Sequence, residues 1–532
     1  MSKITVTCSA IIINDYEFGD CKTIEENFRI WDPVTHSSYY VGMYYDTINK
    51  KLYLPRGIDI WYVEKLIGEP AEFLGPTYKA KGFINDGIYL KNLPRDDIQK
   101  ETLRFCLAKG EYRGNANYSQ LAVNLGTGKG KTYISVATLA YECITTIIIA
   151  SSSSWLKQWK AKIEEYTNIL SKDIYVIVGS ANINRLLKYS DERLKSHKIY
   201  LVTHSTLQDY AKNYDWYSVG KLFEHLKIGI KIFDEAHLDF QNMCMIDFFT
   251  NVKKTYYLTA TFGRSDQREN QIFNLAYKNI PKIKLFDPDT DPHTHYCAIL
   301  YKSHPDPKTI SKLKNKYGLD RMGYANYIVT NSWFQKVAII AMDIGLRYTF
   351  RPGTRMLVYI ATNDAINYFK NWVITIFPEL TNDIGIYTSA FSEEEKAIAL
   401  SKRVILSTTK SAGAAVDIPG LILTINMAEP FKSALTAEQT LGRTRAANTM
   451  YIEMVDTSFK QTYNFYYSKL DVFNTKALDC NSVRMSDEEI ISRYNNIMNS
   501  RLMYYDPHSA FSIEPGSETW KELYGNVEEN KI

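Results

Sequence analysis

The sequence predicts an α/β protein built on two parallel-sheet domains. Apolar strands alternate with helical segments from about residue 93 to 280, and the same alternation returns from about residue 346 to 457. Parallel strands need long crossover connections, so this alternation is typical of parallel sheets covered by helices. A glycine-rich turn between a strand and a helix in the first block is the third observation, since such turns serve ligand binding.

Residues 1–92 predict a small α+β domain. Short apolar and aromatic runs such as ITVTCSAIII and SSYYVGMYYD alternate with turn signals, and one helical stretch, DIWYVEKLIG, follows them. We interpret this segment as an accessory domain. Contact with DNA and contact with another protein both remain open for it.

The first sheet domain is predicted over residues 93–280. Its strand candidates are QLAVNLG, TIIIAS, IYVIVG, IYLVTHS, IGIKIFDEA and KTYYLTATF. Residues 281–345 predict a linker, because FDPDTDPHTH and SHPDPKT are rich in proline and aspartate, followed by a lead-in helix in NSWFQKVAIIAMDIGLRY.

The second sheet domain is predicted over residues 346–457. Its strand candidates are RMLVYIA, IGIYTS, KRVILST, LILTIN and TMYIEMVD. Residues 458–532 predict a helical, tyrosine-rich C-terminal extension with a charged end.

Composition excludes several classes of protein. The longest apolar clusters, such as ITTIIIA, fall short of the ~20 residues that a membrane span requires, so no membrane role is expected. The N-terminal stretch lacks the pattern of a signal peptide, which predicts a cytoplasmic protein. The seven cysteines contain no CxxC pair, which favours buried free thiols over a zinc site. The net charge of +4 permits a polyanionic partner without requiring one.

The turn LGTGKGKT predicts a phosphate-binding loop. Glycines let successive backbone amides converge on phosphate oxygens, and the N-terminus of the following helix adds positive charge. Lys131 is placed to reach the β and γ phosphates, and the Thr132 hydroxyl to ligate Mg²⁺. Leu125 stands where the strict motif has its first glycine. The predicted nucleotide contacts are Gly126, Thr127, Gly128, Lys129, Gly130, Lys131 and Thr132.

The segment IFDEAH ends an apolar strand with two acids. At the carboxyl edge of a parallel sheet, Asp234 faces the nucleotide crevice and is predicted to hold Mg²⁺. Glu235 is then placed to orient and deprotonate the water that attacks the γ phosphate. A pair of solvated acids at a strand end is the alternative, which the glycine turn in the same predicted sheet makes improbable.

These motifs together resemble the superfamily 2 helicases of the DExH-box type. LGTGKGKT, DEAH and the TAT at 259–261 stand in the order of that family, and EQTLGRTRA at 438–446 resembles its QxxGRxxR segment. The resemblance covers roughly residues 93–457. It implies two tandem RecA-like motor domains that hydrolyse ATP with Mg²⁺ at a seam between them.

The resemblance also implies roles for further residues. Gln99, with Arg95, corresponds to the segment that contacts adenine, and Asp417 to a nucleotide contact. Gln439, Arg443 and Arg445 correspond to the catalytic residues of the second lobe, although the family's last arginine falls on Ala446 here. His237, Thr259 and Thr261 would couple nucleotide state to the grip on the strand. The expected nucleic-acid contacts, mostly to backbone phosphates, are Ser205, Thr206, Thr362, Thr408 and Gly413.

The resemblance therefore implies an ATP-dependent helicase or translocase that acts on DNA. An RNA-directed motor and a nucleotide-switched binding protein without unwinding remain as alternatives, while a kinase or transporter ATPase would lack the second sheet with its arginine motif. The compact form resembles helicases of phages and large DNA viruses and the XPB-like and UvrB-like translocases. It implies a place in the host-cell cytoplasm or the virion, and partners in replication, repair or transcription.

Overall fold

The chain folds into two compact units, residues 1–287 and 288–532. Each unit contains a seven-stranded sheet. The computed structural model describes residues 3–32, 36–76, 87–126, 129–259, 267–283, 294–315, 318–349, 351, 353–412, 416, 418–443 and 449–500.

The N-terminal segment of the first unit has its own five-stranded sheet. The strand order is β5-β6-β2-β1-β7, antiparallel except for the β1/β7 pair, and β3 and β4 form a separate hairpin. Its elements are β1 (Ile4–Val6), β2 (Ala10–Ile13), α1 (Lys22–Asn27), β3 (Arg29–Asp32), β4 (Ser37–Tyr40), β5 (Tyr44–Asp46), β6 (Lys51–Pro55), α2 (Ile60–Ile67) and β7 (Ala71–Phe73).

This N-terminal sheet shares its hydrophobic core with the rest of the first unit. The Tyr53 ring lies 4.9 Å from the Phe249 ring. A Cβ on Gly57 would lie 2.3 Å from the Ala276 carbonyl oxygen, so the backbones approach closely there. Residues 1–92, predicted as a separate domain, therefore have a sheet of their own but no core of their own.

The first seven-stranded sheet has the order β10-β11-β9-β12-β13-β8-β14, and all its paired strands run parallel. Every residue of β9, β11, β12 and β13 is buried, which requires cover on both faces because successive side chains point to opposite faces. The elements are α3 (Asp97–Cys106), β8 (Gln120–Asn124), α4 (Lys131–Glu142), β9 (Thr146–Ala150), α5 (Ser153–Tyr166), β10 (Ile174–Val176), α6 (Gly179–Leu186), α7 (Asp191–Lys195), β11 (Ile199–Thr203), α8 (His204–Asn213), α9 (Trp216–His225), β12 (Ile230–Phe233), α10 (Phe240–Phe249), β13 (Lys254–Thr259), α11 (Gln267–Ala276) and β14 (Lys282–Ile283).

The second seven-stranded sheet has the order β19-β20-β18-β21-β22-β15-β23, again with parallel pairs throughout. The elements of the second unit are β15 (Thr294–Tyr301), α12 (Pro307–Lys312), β16 (Lys314–Asn315), β17 (Gly318–Leu319), α13 (Arg321–Ile328), α14 (Ser332–Tyr348), β18 (Arg355–Ile360), α15 (Asn363–Ile376), β19 (Ile384–Tyr387), α16 (Glu393–Ser401), β20 (Val404–Ser407), α17 (Thr409–Ala412), β21 (Leu421–Ala428), α18 (Ala434–Leu441), β22 (Thr449–Asp456), α19 (Lys460–Tyr467), α20 (Leu470–Lys476), β23 (Cys480–Arg484) and α21 (Asp487–Ser500).

The two large sheets have the same topology. When the strands of each sheet are numbered in chain order, both sheets read 3-4-2-5-6-1-7. Strand β12 thus corresponds to β21, and β8 corresponds to β15. The predicted α/β class with two tandem parallel-sheet domains is confirmed.

Two segments differ from the sequence prediction. Residues 281–345, predicted as a linker with one helix, contain β14 and β15 as sheet strands besides the expected helix α14. Strand β15 pairs in parallel with both β22 and β23, so it belongs inside the second sheet. The C-terminal extension, predicted as helical, contributes the strand β23 between α20 and α21.

The predictions about membrane spans and cysteines can also be compared with the structure. Among the described residues, no helix has both the length and the apolar character needed to cross a bilayer. All seven cysteines are free thiols. The prediction that they are buried holds for Cys106 and Cys244, while the other five are partly exposed.

Candidate functional site

The two predicted catalytic residues of the first unit, Lys131 and Glu235, lie at one edge of the first sheet. Strand β13 pairs with β8 so that Thr259 stands opposite Asn124, and β12 pairs with β9 so that Phe233 stands opposite Ile149. Because the strands are parallel, their carboxyl ends meet at this edge, where open α/β sheets bind ligands. The glycine turn after β8 and the acid turn after β12 are therefore brought to the same edge.

The glycine turn leads directly into helix α4. Gly130 is the N-cap of this helix and has a φ of 89°, in the left-handed region that favours glycine. A Cβ at this position would lie 2.2 Å from Nε2 of Gln99. Gln99 is almost fully buried, and its Oε1 accepts a hydrogen bond from the backbone N–H of Arg95 at 3.0 Å. The predicted adenine segment thus packs against the phosphate turn.

Lys131 begins helix α4 and reaches across the turn. Its Nζ donates a hydrogen bond to the carbonyl oxygen of Leu125 at 3.2 Å and lies 3.6 Å from Oε1 of Glu235. Both side chains are about nine-tenths buried. The ammonium group is therefore held between the glycine turn and the acid turn, and Thr132 follows it in the first turn of the helix.

Asp234 stands at the end of β12. Its backbone N–H donates to the carbonyl of Ile149 at 3.0 Å, and its Oδ2 accepts a hydrogen bond from the indole Nε1 of Trp159 at 2.7 Å. Burial, together with the neighbouring Glu235 carboxylate, raises the pKa of Asp234 to about 6, although the indole and Lys131 act in the opposite direction. Binding of a divalent cation would relieve this cost by neutralising the buried charge.

Glu235 has two unusual features. Its φ is 49°, a conformation that costs free energy in a residue with a Cβ and that is characteristic of functional turns. Its Oε2 is buried without a hydrogen-bond partner, and lies 3.4 Å from Nδ1 of His237. A buried acceptor without a donor is costly, so this oxygen is suited to receive one from a ligand or a water.

The two described coupling residues lie next to each other. Nδ1 of His237 and the Thr259 hydroxyl are 2.8 Å apart, and both residues are buried. The backbone N–H of Ala236 donates to the Leu258 carbonyl at 2.8 Å, which joins the acid turn to the end of β13. A shift of either strand end would therefore move the other.

The predicted strand contacts of the first unit lie at the start of α8. Thr203 is the N-cap, and its Oγ1 accepts from the backbone N–H of Thr206 at 3.2 Å. The hydroxyls of Ser205 and Thr206 lie 3.0 and 2.9 Å from the same Thr203 oxygen. Ser205 is exposed to solvent, whereas Thr206 is half-buried. The neighbouring His204 is buried, and burial lowers its pKa to about 4.

The predicted strand contacts of the second unit also occupy helix starts. Thr362 caps α15, where its Oγ1 accepts from the backbone N–H of Ala365 at 3.1 Å and its hydroxyl bonds to Asn326. Thr408 precedes α17 and accepts from the backbone N–H of Ser411 at 3.0 Å. Both hydroxyls therefore already have a capping role.

The arginine motif begins in the last turn of helix α18. Arg443 is buried, and its Nη1 donates to the carbonyl oxygen of Val416 at 2.8 Å. Gln439 lies on α18 and is half-buried. The guanidinium of Arg443 thus joins the loop before β21 to the end of α18. Six predicted site residues lie outside the described part of the chain, as does Ala446: Thr127, Gly128, Thr261, Gly413, Asp417 and Arg445.

The residues present fit ATP with Mg²⁺. Mg²⁺ is usually held by one or two carboxylates together with substrate phosphates. Asp234 offers a buried carboxylate, and Glu235 offers an oxygen without a donor. When bound, Mg²⁺ would neutralise the phosphate charge that develops during transfer.

Sequence reasoning did not single out Trp159 or His204. Trp159 is one of eight tryptophans, and only the packing of α5 beside β12 shows that its indole meets Asp234. His204 follows a strand in the segment YLVTHSTL, but its ring stacks on Phe233 and is buried. A position directly after a predicted parallel strand was the one sequence signal available for His204.

The chain is similar to several known proteins in sequence and in structure. Residues 93–264 match the family described as “Type III restriction enzyme, res subunit”. The chain is similar to “DNA 3'-5' helicase XPB” of Mycobacterium tuberculosis, at 25% identity over 209 residues, which is 39% of this chain and 34% of that protein. It is likewise similar to the protein of the same name from Kineococcus radiotolerans, at 25% identity over 29% of this chain and 25% of that protein.

The chain spans about a third or less of the length of these two relatives. Among solved structures, it is similar to Dbp5 of S. cerevisiae bound to RNA and ADP BeF3, with 14% identity and a TM-score of 0.49, over 75% of this chain and 97% of that one. It is also similar to T4 UvsW, with 15% identity and a TM-score of 0.34, over 91% of this chain and 99% of that one.

Proposed function

We propose that the protein is an ATP-dependent DNA helicase or translocase. The observation that carries this proposal is the meeting of the glycine turn and the acid turn, with Lys131 Nζ held 3.6 Å from Glu235 at the carboxyl edge of the first sheet. A phosphate cradle, a buried carboxylate for Mg²⁺ and a carboxylate oxygen without a donor are the parts that ATP hydrolysis needs.

The hydrolytic roles follow from this arrangement. Backbone amides of the glycine turn and Lys131 bind the phosphates, while Asp234 and Thr132 would hold Mg²⁺. Glu235 orients the attacking water and accepts its proton. Gln439 and Arg443 are assigned by resemblance to supply positive charge and polar contacts to the transferred phosphoryl group, and Arg445 is assigned the same role.

The finer assignments belong to the same proposal. LGTGKGKT acts as a Walker A loop and IFDEAH as a DEAH box of a DExH-type enzyme. The Thr259 contact to His237 supports a coupling role for both residues, and Gln99 is assigned to adenine. The small N-terminal sheet ahead of the two parallel-sheet units supports a place among helicases of phages and large DNA viruses, and hence in the cytoplasm of a host cell.

DNA is proposed as the substrate because both named relatives are DNA helicases. The exposed Ser205 beside the half-buried Thr206 supports contacts to the sugar-phosphate backbone rather than to bases. Such contacts bind without reading sequence. Proteins of replication, repair or transcription are proposed as partners on the same basis.

The test is a pair of assays on the full-length protein. ATP turnover is measured with single-stranded DNA, duplex DNA and RNA, and strand displacement is measured on forked, blunt and tailed substrates of both nucleic acids. We expect DNA to stimulate turnover at least tenfold more than RNA, and displacement to require ATP and Mg²⁺. Stronger stimulation by RNA would move the substrate assignment to RNA, and ATP binding without turnover would make the protein a nucleotide-switched binder.

A further inference from the structure

Trp159 occupies an unexpected place beside the acid turn. It lies on α5, is 3% exposed, and its indole Nε1 donates to Oδ2 of Asp234 at 2.7 Å. Helix α5 follows β9, and β9 is the direct neighbour of β12 in the sheet. Helix α5 is therefore connected to β9, the strand beside β12. The Trp159 indole links this helix to Asp234, which follows β12.

The chemistry of this contact is specific. An indole N–H is a donor only and does not ionise, so it favours a carboxylate that accepts. The second attachment of Asp234 is its backbone N–H bond to Ile149 on β9. Main chain and side chain of the acid are therefore both tied to the β9–α5 segment, which restricts the orientation of the carboxylate.

Trp155 shows that the contact is more than helix packing. It lies one turn earlier on α5 and is also buried, at 8% exposure, but its indole is not bonded to Asp234. The helix therefore carries two buried tryptophans, and one of them reaches the acid. This difference provides a matched pair for experiment.

We propose that Trp159 is a positioning residue for the carboxylate that binds Mg²⁺. Its N–H holds Asp234 in the orientation needed for the metal of Mg·ATP, so the acid does not have to reorganise when nucleotide enters. Outer-shell hydrogen bonds of this kind orient metal-binding carboxylates, and their loss typically lowers metal affinity about 10- to 100-fold. This inference rests on the proposed ATPase function.

The test measures binding rather than turnover. In the full-length Glu235→Gln variant, a fluorescent ATP analogue is titrated while the Mg²⁺ concentration is varied. We expect Trp159→Phe to raise the half-saturating Mg²⁺ concentration about tenfold and to leave nucleotide affinity in EDTA unchanged. Trp155→Phe, the matched control, should leave both quantities unchanged, and thermal unfolding should confirm that both variants fold.

Two results would separate failure of the inference from failure of the proposed function. If the Glu235→Gln parent binds nucleotide without dependence on Mg²⁺, or does not bind it, the ATPase proposal itself is wrong. If the parent depends on Mg²⁺ and the two tryptophan variants behave alike, the positioning role of Trp159 is wrong.

A non-natural residue isolates the N–H group. Benzothienylalanine at position 159 has the shape of tryptophan but carries sulfur in place of the N–H. The same tenfold loss of Mg²⁺ affinity would assign the effect to the hydrogen bond. Retention of the parent affinity would assign it to packing and overturn the proposal.

Discussion

The same position in the two sheets carries acids with opposite environments. Strands β12 and β21 each occupy the fourth position across their sheet. Asp234 directly follows β12, and Glu429 directly follows β21. After β12, Oε2 of Glu235 is buried without a hydrogen-bond partner. After β21, Oε2 of Glu429 accepts from the backbone N–H of Thr409 at 2.7 Å, and its Oε1 accepts from the Thr409 hydroxyl.

This difference shows that position in the sheet does not by itself make an acid catalytic. Burial raises the pKa of both Glu429 and Asp234, and hydrogen bonds to each carboxylate oppose the shift. The difference is that both oxygens of Glu429 have donors, whereas Oε2 of Glu235 has none. Glu429 is therefore a satisfied group that holds the start of α17. The acids after β12 can still accept hydrogen bonds from a ligand. The comparison therefore predicts a catalytic role for the acids of the first unit and a structural role for Glu429 in the second.

The largest expected effect concerns Glu235. Glu235→Gln keeps the shape of the side chain but removes the base, so turnover should fall about 10²- to 10⁴-fold, the usual contribution of a general base. Nucleotide affinity should be unchanged, because Lys131 and the glycine turn remain. Steady-state ATP hydrolysis and equilibrium binding of an ATP analogue measure the two quantities.

Glu224 provides the control for this substitution. It lies on α9 of the same unit and is exposed, so Glu224→Gln should leave turnover unchanged. Equal turnover in Glu235→Gln and Glu224→Gln would remove Glu235 from the mechanism and would leave the acid after β12 no different from the one after β21.

The next largest effect concerns the loss of folding stability caused by burying the ionised carboxylate of Asp234. Burial raises its pKa in the folded state to about 6, well above the ordinary value of an aspartate, so ionised Asp234 destabilises the folded state at pH 7. The difference of roughly two pH units corresponds to about 3 kcal/mol. Asp234→Asn should therefore raise the free energy of unfolding of the first unit while it abolishes Mg²⁺-dependent turnover.

The difference in stability between Asp234→Asn and the wild-type protein should depend on pH. Asp234 in the wild-type protein takes up a proton as the pH falls through 6, so the advantage of Asn should be largest above pH 6 and should shrink toward pH 4. Denaturant unfolding at pH 7.5 and pH 5 measures it. A variant less stable than wild type at pH 7.5 would contradict the assigned cost of burial.

A substitution in the second unit should make Glu429 resemble Glu235. Thr409→Val removes the hydroxyl that donates to Oε1 of Glu429 and leaves a buried carboxylate oxygen without a donor. We expect a loss of about 1–3 kcal/mol in the free energy of unfolding at pH 7.5. Because the lost bond favoured the charged form, the deficit should shrink as the pH falls and Glu429 becomes protonated.

The exposed Thr381 supplies the reference for that loss. It lies in the same unit, and its hydroxyl bonds only to the nearby carbonyl of Pro378 at 2.6 Å. Thr381→Val should cost less than Thr409→Val and should show no dependence on pH in this range. A pH-independent loss in Thr409→Val would mean that the hydroxyl does not serve the carboxylate.

The sequence predicted the two sheets and the first site because those signals are local. The glycine turn and the two acids can each be recognised within a few residues, and each follows a short, mostly apolar strand. Strand β15 was missed because THYCAILY lies between proline- and aspartate-rich segments, and its partner strand β22 begins 155 residues later. No local pattern reports such a pairing.

Contacts between side chains could not be predicted from the sequence either. That Gln99 presses against Gly130, and that Trp159 rather than Trp155 meets Asp234, depends on how α3 and α5 pack beside the sheet. The predicted strand contacts illustrate the same limit. A threonine after a parallel strand suits both a helix cap and a phosphate contact, and only the environment separates the two uses.

The smallest expected effects distinguish a hydroxyl that caps a helix from one that contacts a phosphate. Thr362 is 8% exposed, and its hydroxyl makes both the capping bond to Ala365 and the bond to Asn326, so Thr362→Ala should cost about 1 kcal/mol of stability as a lost N-cap. Thr362→Ser should restore most of it. DNA affinity should change less than twofold in either variant, since the hydroxyl is already engaged.

Ser205 should behave in the opposite way, because the residue is exposed at the start of α8 while Thr203 provides the cap. Ser205→Ala should leave stability within about 0.5 kcal/mol of wild type, as for most surface substitutions. Its DNA affinity should fall several-fold, consistent with the ~1 kcal/mol typical of a single hydrogen bond. Fluorescence anisotropy with labelled single-stranded DNA measures both variants at one salt concentration. A larger loss of affinity in Thr362→Ala than in Ser205→Ala would reverse the roles and make the capping threonine the stronger contact to the strand.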